Sequence, residues 1–195
     1  MTEREATLAV IDGLEALAIP YMLVGSFSSS FYAIPRSSKD ADFVIALGSR
    51  SIRDLADHLG PGFRLDPQMS FESVTMTSRH VMEVVGIRFK VELFHLSDDP
   101  HDQERFRRRR RVEYLDRQIH LPTPEDVIIT KLRWTIEGRR TKDWEDTRDV
   151  IAVQGNRIDW DYVFRWADLH GTRKTLDEIR GSLPSRLNKP DRGPA

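Results

Sequence analysis

Asp40 and Asp42 stand two residues apart at the head of the apolar run "DFVIAL". In an extended strand alternate side chains share a face, so Asp40, Asp42 and Val44 point one way and Phe43, Ile45 and Leu47 the other. Two neighbouring carboxylates raise each other's pKa, and a divalent cation relieves the repulsion. Oxygen ligands on a rigid strand suit Mg2+, which also takes phosphate oxygens. The plainer reading is a solvated strand edge with two surface aspartates. Upstream, Gly25 lets the backbone approach a ligand, and Ser26 offers a hydroxyl and an amide at a helix start, a combination able to hold a triphosphate. Downstream, "RFKVELF" alternates Phe89, Val91 and Leu93 against Lys90, Glu92 and Phe94. Glu92 is therefore an acid on the non-core face, and its plainer reading is a strand residue paired with a lysine or arginine.

A second feature is the run "ERFRRRRR", with Arg105 and Arg107, Arg108, Arg109, Arg110 and Arg111. Such a run can bind the phosphate backbone of an RNA. It can equally be a solvated helix end whose cations meet the acids of "SDDPHDQE" and the helix C-terminus. Only Phe106 and Tyr114 flank it, so base stacking is not indicated. The 6 histidines show no ligand spacing.

These residues need a frame to position them, and a chain of 195 residues can bury a sizeable core. Hydrophobic residues make up 39% and charged residues 31%, and the net charge of −1 leaves any anionic partner to a local patch. The absence of cysteine excludes disulfides, thiol nucleophiles and cysteine zinc sites, and suits a reducing cytoplasmic setting. The opening "MTEREATLAVIDGLEALA" mixes acids with apolar residues and reads as a helix capped by Thr2 and Glu5, not as a signal peptide or membrane span. "YMLVG" and "DFVIAL" read as strands around a short helix or turn, "SFSSSFYA". "SRSIRDLADHLG" reads as a helix capped by Ser49 or Ser51. "FRL", "FESVTM" and the two arms of "HVMEVVGIRFKVELFHL" read as strands. From Thr123 four helices follow, each opening on Thr or Asp, the first three closing on Gly. The expected fold is α+β, a mixed sheet followed by a helical bundle. The expected divisions are residues 1–121, residues 122–183 and a flexible tail, 184–195.

Gly25-Ser26, then Arg36-x-Ser38-x-Asp40-x-Asp42, then an acid inside an apolar strand, resembles the polymerase β-like nucleotidyltransferase superfamily. "RFRRRRRVEYLDRQIHLPTPEDVIITKLRW" followed by "RRTKDWEDTRDV" is similar to the AbiE-type toxin nucleotidyltransferases and their short relatives, so that the resemblance spans roughly residues 20 to 155. It implies a mixed sheet with helices on one face, and transfer of a nucleotidyl group from an NTP with Mg2+ or Mn2+. By that resemblance Gly25, Ser26, Arg36 and Ser38 line the nucleotide site, and Asp40, Asp42 and Glu92 are metal ligands. Glu92 also acts as base, Lys131 meets the phosphates, and Lys142 and Asp143 match a later Lys-Asp pair. Position 92 is Glu where Asp is more usual, position 38 is Ser where Thr is common, and the chain is shorter than typical AbiE toxins. The implied partners are an NTP, an RNA acceptor such as tRNA, and, for a toxin, a cognate antitoxin. The alternative is an inactive relative serving as a nucleotide-, RNA- or protein-binding module.

Overall fold

The computed structural model describes residues 1–138 and 141–184. The expected flexible tail therefore lies outside the described residues, except for Pro184. The chain divides into two compact units, one of Met1–Phe27 with Ser37–Pro122, the other of Ser28–Arg36 with the chain from Thr123 onward. The boundary falls within helix α2 (Gly25–Tyr32), so the second unit also takes in residues 28–36, a segment that the sequence groups with the N-terminal part.

The first unit is α+β. Helix α1 (Glu3–Ala16) starts at the capping box that the sequence marks: Glu5 N donates to Thr2 Oγ1, and Thr2 N donates to Glu5. β1 (Tyr21–Leu23) follows, then α2, then β2 (Asp40–Ile45) and α3 (Ile52–Leu59). Of the two candidate caps, Ser51 is the one used by α3, in a second capping box with Asp54. Three antiparallel partners come next: β3 (Phe63–Leu65), β4 (Ser70–Glu72) and β5 (Thr77–Val84). β5 turns through Gly86 into β6 (Lys90–His95). The strand order is β1-β2-β6-β5-β3, with β4 also on β5. β2 and β6 run parallel and the other pairs antiparallel, so the sheet is mixed and β2 is an interior strand.

The alternation foreseen in β2 and β6 decides what each face does. Phe43 and Ile45, with Phe89, Val91 and Leu93, are buried in the main core with Ala6, Val10, Leu14 and Leu55 from α1 and α3. On the other face Val44 packs with Met22, Val24 and Phe106, and Phe94 lies against them. Phe106 comes from α4 (Pro100–Arg108), whose first turn is capped by Asp99.

Beyond α4 the chain forms a hairpin, β7 (Arg110–Tyr114) with β8 (Arg117–Leu121), where the sequence suggests no strands. The reason is its turn. Leu115 and Asp116 both adopt positive φ, 50° and 60°, as a two-residue hairpin turn demands, without the Asn-Gly or Gly residues that usually announce it. Ile119 and Leu121 are buried in the main core, and Val112 and Tyr114 lie against it.

The second unit holds the later part of α2 and four further helices: α5 (Pro124–Glu137), α6 (Thr141–Gln154), α7 (Trp160–Leu169) and α8 (Arg173–Gly181). Thr123 and Asp159 cap α5 and α7 through their side chains. Val127, Ile128, Leu132, Val150, Ile151, Val163, Leu176 and Ile179 form its core, together with Tyr32 of α2.

Candidate functional site

The positions of Asp40 and Asp42 follow from the register of β2. Both are half-buried on an interior strand, not on a sheet edge. Asp40 accepts a hydrogen bond from Ser38 Oγ at 2.5 Å. The backbone carbonyl of Asp42 accepts from Val24 N at 2.8 Å, which ties the end of β1 to the aspartate pair. The next residue is Gly25, with φ of +62°, and a Cβ built there would lie 1.9 Å from Asp42 Oδ2. A side chain at position 25 would thus invade the space of the Asp42 carboxylate and strain the backbone, so glycine is what permits the close approach. Ser26, next in α2, is buried. Gly25 and Asp42 thereby meet at the end of the β1–β2 ladder, with Ser26 next to Gly25 in the chain and Asp40 two residues before Asp42 on β2.

Glu92 is opposite Asp42 in the parallel register of β2 and β6, and Lys90 is opposite Asp40. Side chains at paired positions of adjacent strands share a face, so Glu92 stands beside Asp42. It does not stand alone: Glu92 Oε2 accepts from Arg79 Nη1 at 2.9 Å. Glu92 therefore has a basic partner, a β5 arginine that the sequence did not single out. Among the described residues, no three of His, Cys, Asp and Glu cluster as a metal-binding group. The Asp40–Asp42 pair nonetheless fits a hard cation in kind, with carboxylate oxygens on a rigid interior strand and a glycine that clears their approach.

Arg36, Lys131 and Asp143 lie in the helical unit, in one network. Lys131 Nζ donates to Asp143 Oδ1 at 2.6 Å and meets Asp146 Oδ2 at 2.8 Å. Arg36 grips both oxygens of Asp146, Nη2 at 2.9 Å and Nε at 3.1 Å, and Ser29 Oγ donates to the same carboxylate at 3.3 Å. Lys131, Asp143 and Asp146 are all buried, whereas Lys142 is exposed. Burial pushes the Asp146 carboxyl up, but the Arg36 hydrogen bonds and the Lys131 ammonium outweigh it and hold the group below its ordinary value. Asp146 was missed in the sequence. Its signal was there, three residues after Asp143 and so on the same helix face, but choosing it required knowing which face meets α5.

The arginine run is not one surface. Arg105 is buried in a pair with Asp102, and Arg107 pairs with Glu104. Arg109 lies 4.2 Å from the Phe106 ring centre and donates to the Phe106 carbonyl at 2.5 Å. Burial pulls its guanidinium pKa down. Arg110 and Arg111 are exposed on β7, and Arg108 is half-buried at the end of α4.

The fold is that of the nucleotidyltransferases. Solved structures similar to this chain include that of the antibiotic-resistance factor ANT(2'')-Ia, with 14% identity, TM-score 0.61, and coverage of 93% of this chain and 98% of that one. A crystal structure of ANT(2'')-Ia in complex with adenylyl-2''-tobramycin is similar at 12% identity and TM-score 0.62, covering 89% of this chain and 99% of that one. The lincomycin-bound lincosamide adenylyltransferase LnuA is similar at 14% identity and TM-score 0.51, covering 78% of this chain and 98% of that one. No protein-family model and no curated protein matches the sequence. Among the described residues no helix is long and apolar enough to cross a membrane.

Proposed function

We propose that the chain is a metal-dependent nucleotidyltransferase, moving an NMP group from an NTP to a hydroxyl acceptor. The observation that carries this is the meeting of Gly25 with Asp42, in a nucleotidyltransferase fold. The glycine that opens α2 comes so near the Asp42 carboxylate that no other residue fits. Asp40 and Asp42 are the proposed ligands of Mg2+ or Mn2+. Gly25 and Ser26 are proposed to hold the triphosphate at the start of α2, with Ser38 supporting Asp40. In the reaction the acceptor oxygen bonds to the α-phosphorus, the bond to the pyrophosphate oxygen breaks, and the hydroxyl proton is lost to solvent. The metal, when bound, supplies positive charge to the phosphoryl oxygens and leaving group. The chain's own share is positioning: β2 fixes the two carboxylates, and the Gly25 backbone keeps the triphosphate end open.

Lys131 is retained as a proposed phosphate-binding cation, with Arg36, Lys142 and Asp143 as its nucleotide-site companions. The support is the resemblance; the pairs with Asp143 and Asp146 give Lys131 a structural task as well. RNA is the proposed acceptor, favoured by exposed Arg107, Arg110 and Arg111. AbiE-type kinship, a toxin role with an antitoxin, and a cytoplasmic site of action rest on sequence features alone. A non-catalytic nucleotide binder is the second reading, favoured by the Arg79 hold on Glu92.

The test is incubation with each labelled NTP, Mg2+ or Mn2+, and either total RNA or a small-molecule fraction of lysate. Label on RNA supports the full proposal. Label on a small molecule keeps the transferase and replaces the acceptor. No transfer, with NTP bound, favours the second reading. Replacing Arg107, Arg110 and Arg111 by Glu should weaken RNA binding with little regard to sequence and flatten its salt dependence; an unchanged salt slope removes these residues from the acceptor surface.

A further inference from the structure

The position beside Asp42 where a third metal-binding carboxylate would serve is held by an ion pair. Glu92 Oε2 accepts from Arg79 Nη1 at 2.9 Å. Arg79 is anchored a second time, its Nε donating to Ser70 Oγ at 2.9 Å. Its guanidinium also lies 6.0 Å from the centre of the Phe94 ring. β4 supplies Ser70, β5 Arg79, and β6 both Glu92 and Phe94, so three strands of one sheet place this cation. The pair is only partly buried, with side-chain exposures of 34% for Arg79 and 21% for Glu92. Among the described residues the three carboxylates do not form a metal-binding cluster.

We infer that Arg79 is a built-in cation standing in for a second metal ion, so that the site binds one divalent cation, on Asp40 and Asp42, with Glu92 as the anchor of Arg79. The inference rests on the nucleotidyltransferase reading. A guanidinium keeps its charge at any working pH and needs no loading from solution. Of its five N–H donors, Arg79 uses one on Glu92 and one on Ser70, which leaves others for phosphate oxygens. A metal ion bound through Glu92 would have to break the Arg79 pair and lie next to a fixed positive charge, which disfavours it. Arg79 is thus a positioning and charge-supplying residue whose partner, Glu92, acts through it.

The experiment counts Mn2+ bound to the whole chain from the loss of the free-ion paramagnetic resonance signal, with thermal melting as the fold control. The parent protein takes up one Mn2+ per chain. Arg79→Ala frees Glu92 and adds a second Mn2+ or tightens the first on the order of tenfold. Arg79→Lys keeps the parental count. In the double variant Arg79→Ala/Glu92→Ala the count and affinity return to the parental values, because the released carboxylate is gone. If Arg79→Ala does not melt cooperatively, Arg79→Gln carries the same test without the charge. Two Mn2+ in the parent, or unchanged binding in the Arg79 variant that folds, overturns the inference. The underlying reading fails separately: a parent that takes up no Mn2+, or an Asp42→Asn variant that binds it as well as the parent, overturns the metal site itself.

Discussion

Two groups of aspartates in this molecule are treated in opposite ways. In the helical unit Asp143 and Asp146 are buried, and the cations Lys131 and Arg36 match them one for one. The four charges are neutral as a set, three of them buried and Arg36 half-buried. In the α/β unit Asp40 is only half-buried and accepts from a serine hydroxyl, not from a cation. Under the proposed function, that carboxylate is a ligand for a divalent cation, not one half of an internal ion pair. The helical unit completes its electrostatics with its own cations, and the proposed function assigns that task at β2 to a bound cation.

The largest effect that would break this contrast is on catalysis. Asp42→Asn keeps the shape and removes the charge, so nucleotidyl transfer should fall by several orders of magnitude. Thermal stability should hold or rise, since a repelling carboxylate is gone. A folded Asp42→Asn protein that transfers label at the parental rate would end the assignment.

The same neutralisation in the helical unit should do the reverse. Lys131→Met leaves the buried Asp143 without its cation, while Arg36 still holds Asp146, and breaking such a buried pair costs about 3–5 kcal/mol. The urea midpoint should drop accordingly. Asp146→Asn should also destabilise, by removing the carboxylate charge that Arg36 grips and leaving Lys131 with Asp143 as its anionic partner. A Lys131→Met protein as stable as the parent but weak in NTP binding would show that the lysine serves nucleotide only, and would dissolve the contrast.

A smaller effect sharpens the comparison through pH. The Asp146 carboxyl is depressed in the folded state. Its contribution is therefore fully present above the unfolded value of about 3.9 and is lost as pH falls through the lower folded value. Asp146→Asn should flatten the acid limb of a stability profile below about pH 4.

The smallest effect belongs to the sheet. Burial lowers the pKa of His80, and burial with the neighbouring His80 lowers that of His95, their rings 5.1 Å apart. The unfolded chain then takes up protons first, so stability declines as pH falls from about 6.5 toward the lower folded values. Urea unfolding of a His80→Gln variant should lose part of that decline, while Asp146→Asn leaves it intact.

Much of the candidate site was legible because it is local. The i, i+2 spacing of Asp40 and Asp42, the alternation of Phe89, Val91 and Leu93, and the glycine before Ser26 are dictated by strand geometry and backbone sterics, which neighbouring residues determine. Helix boundaries at Thr2, Thr123 and Asp159 were legible for the same reason, and that of α3 to within Ser49 or Ser51, since a cap bonds to amides two or three residues away. The β7–β8 hairpin escaped because its turn residues, Leu115 and Asp116, are held at positive φ without a glycine to announce it. Its apolar residues are held from elsewhere, Ile119 and Leu121 by the main core.

What only the tertiary structure decided are the partners of charges. Arg79 is 13 residues from Glu92, Arg36 is 110 from Asp146, and Lys131 is 12 from Asp143. Composition offered many arginines for each carboxylate, and no spacing rule selects among them across separate strands and helices. The sequence by itself determined which residues alternate, cap and turn, because those preferences act over a few bonds. Which cation stands beside which carboxylate was settled only when strand register and helix packing brought distant residues within about 3 Å, the range over which a hydrogen-bonded ion pair forms.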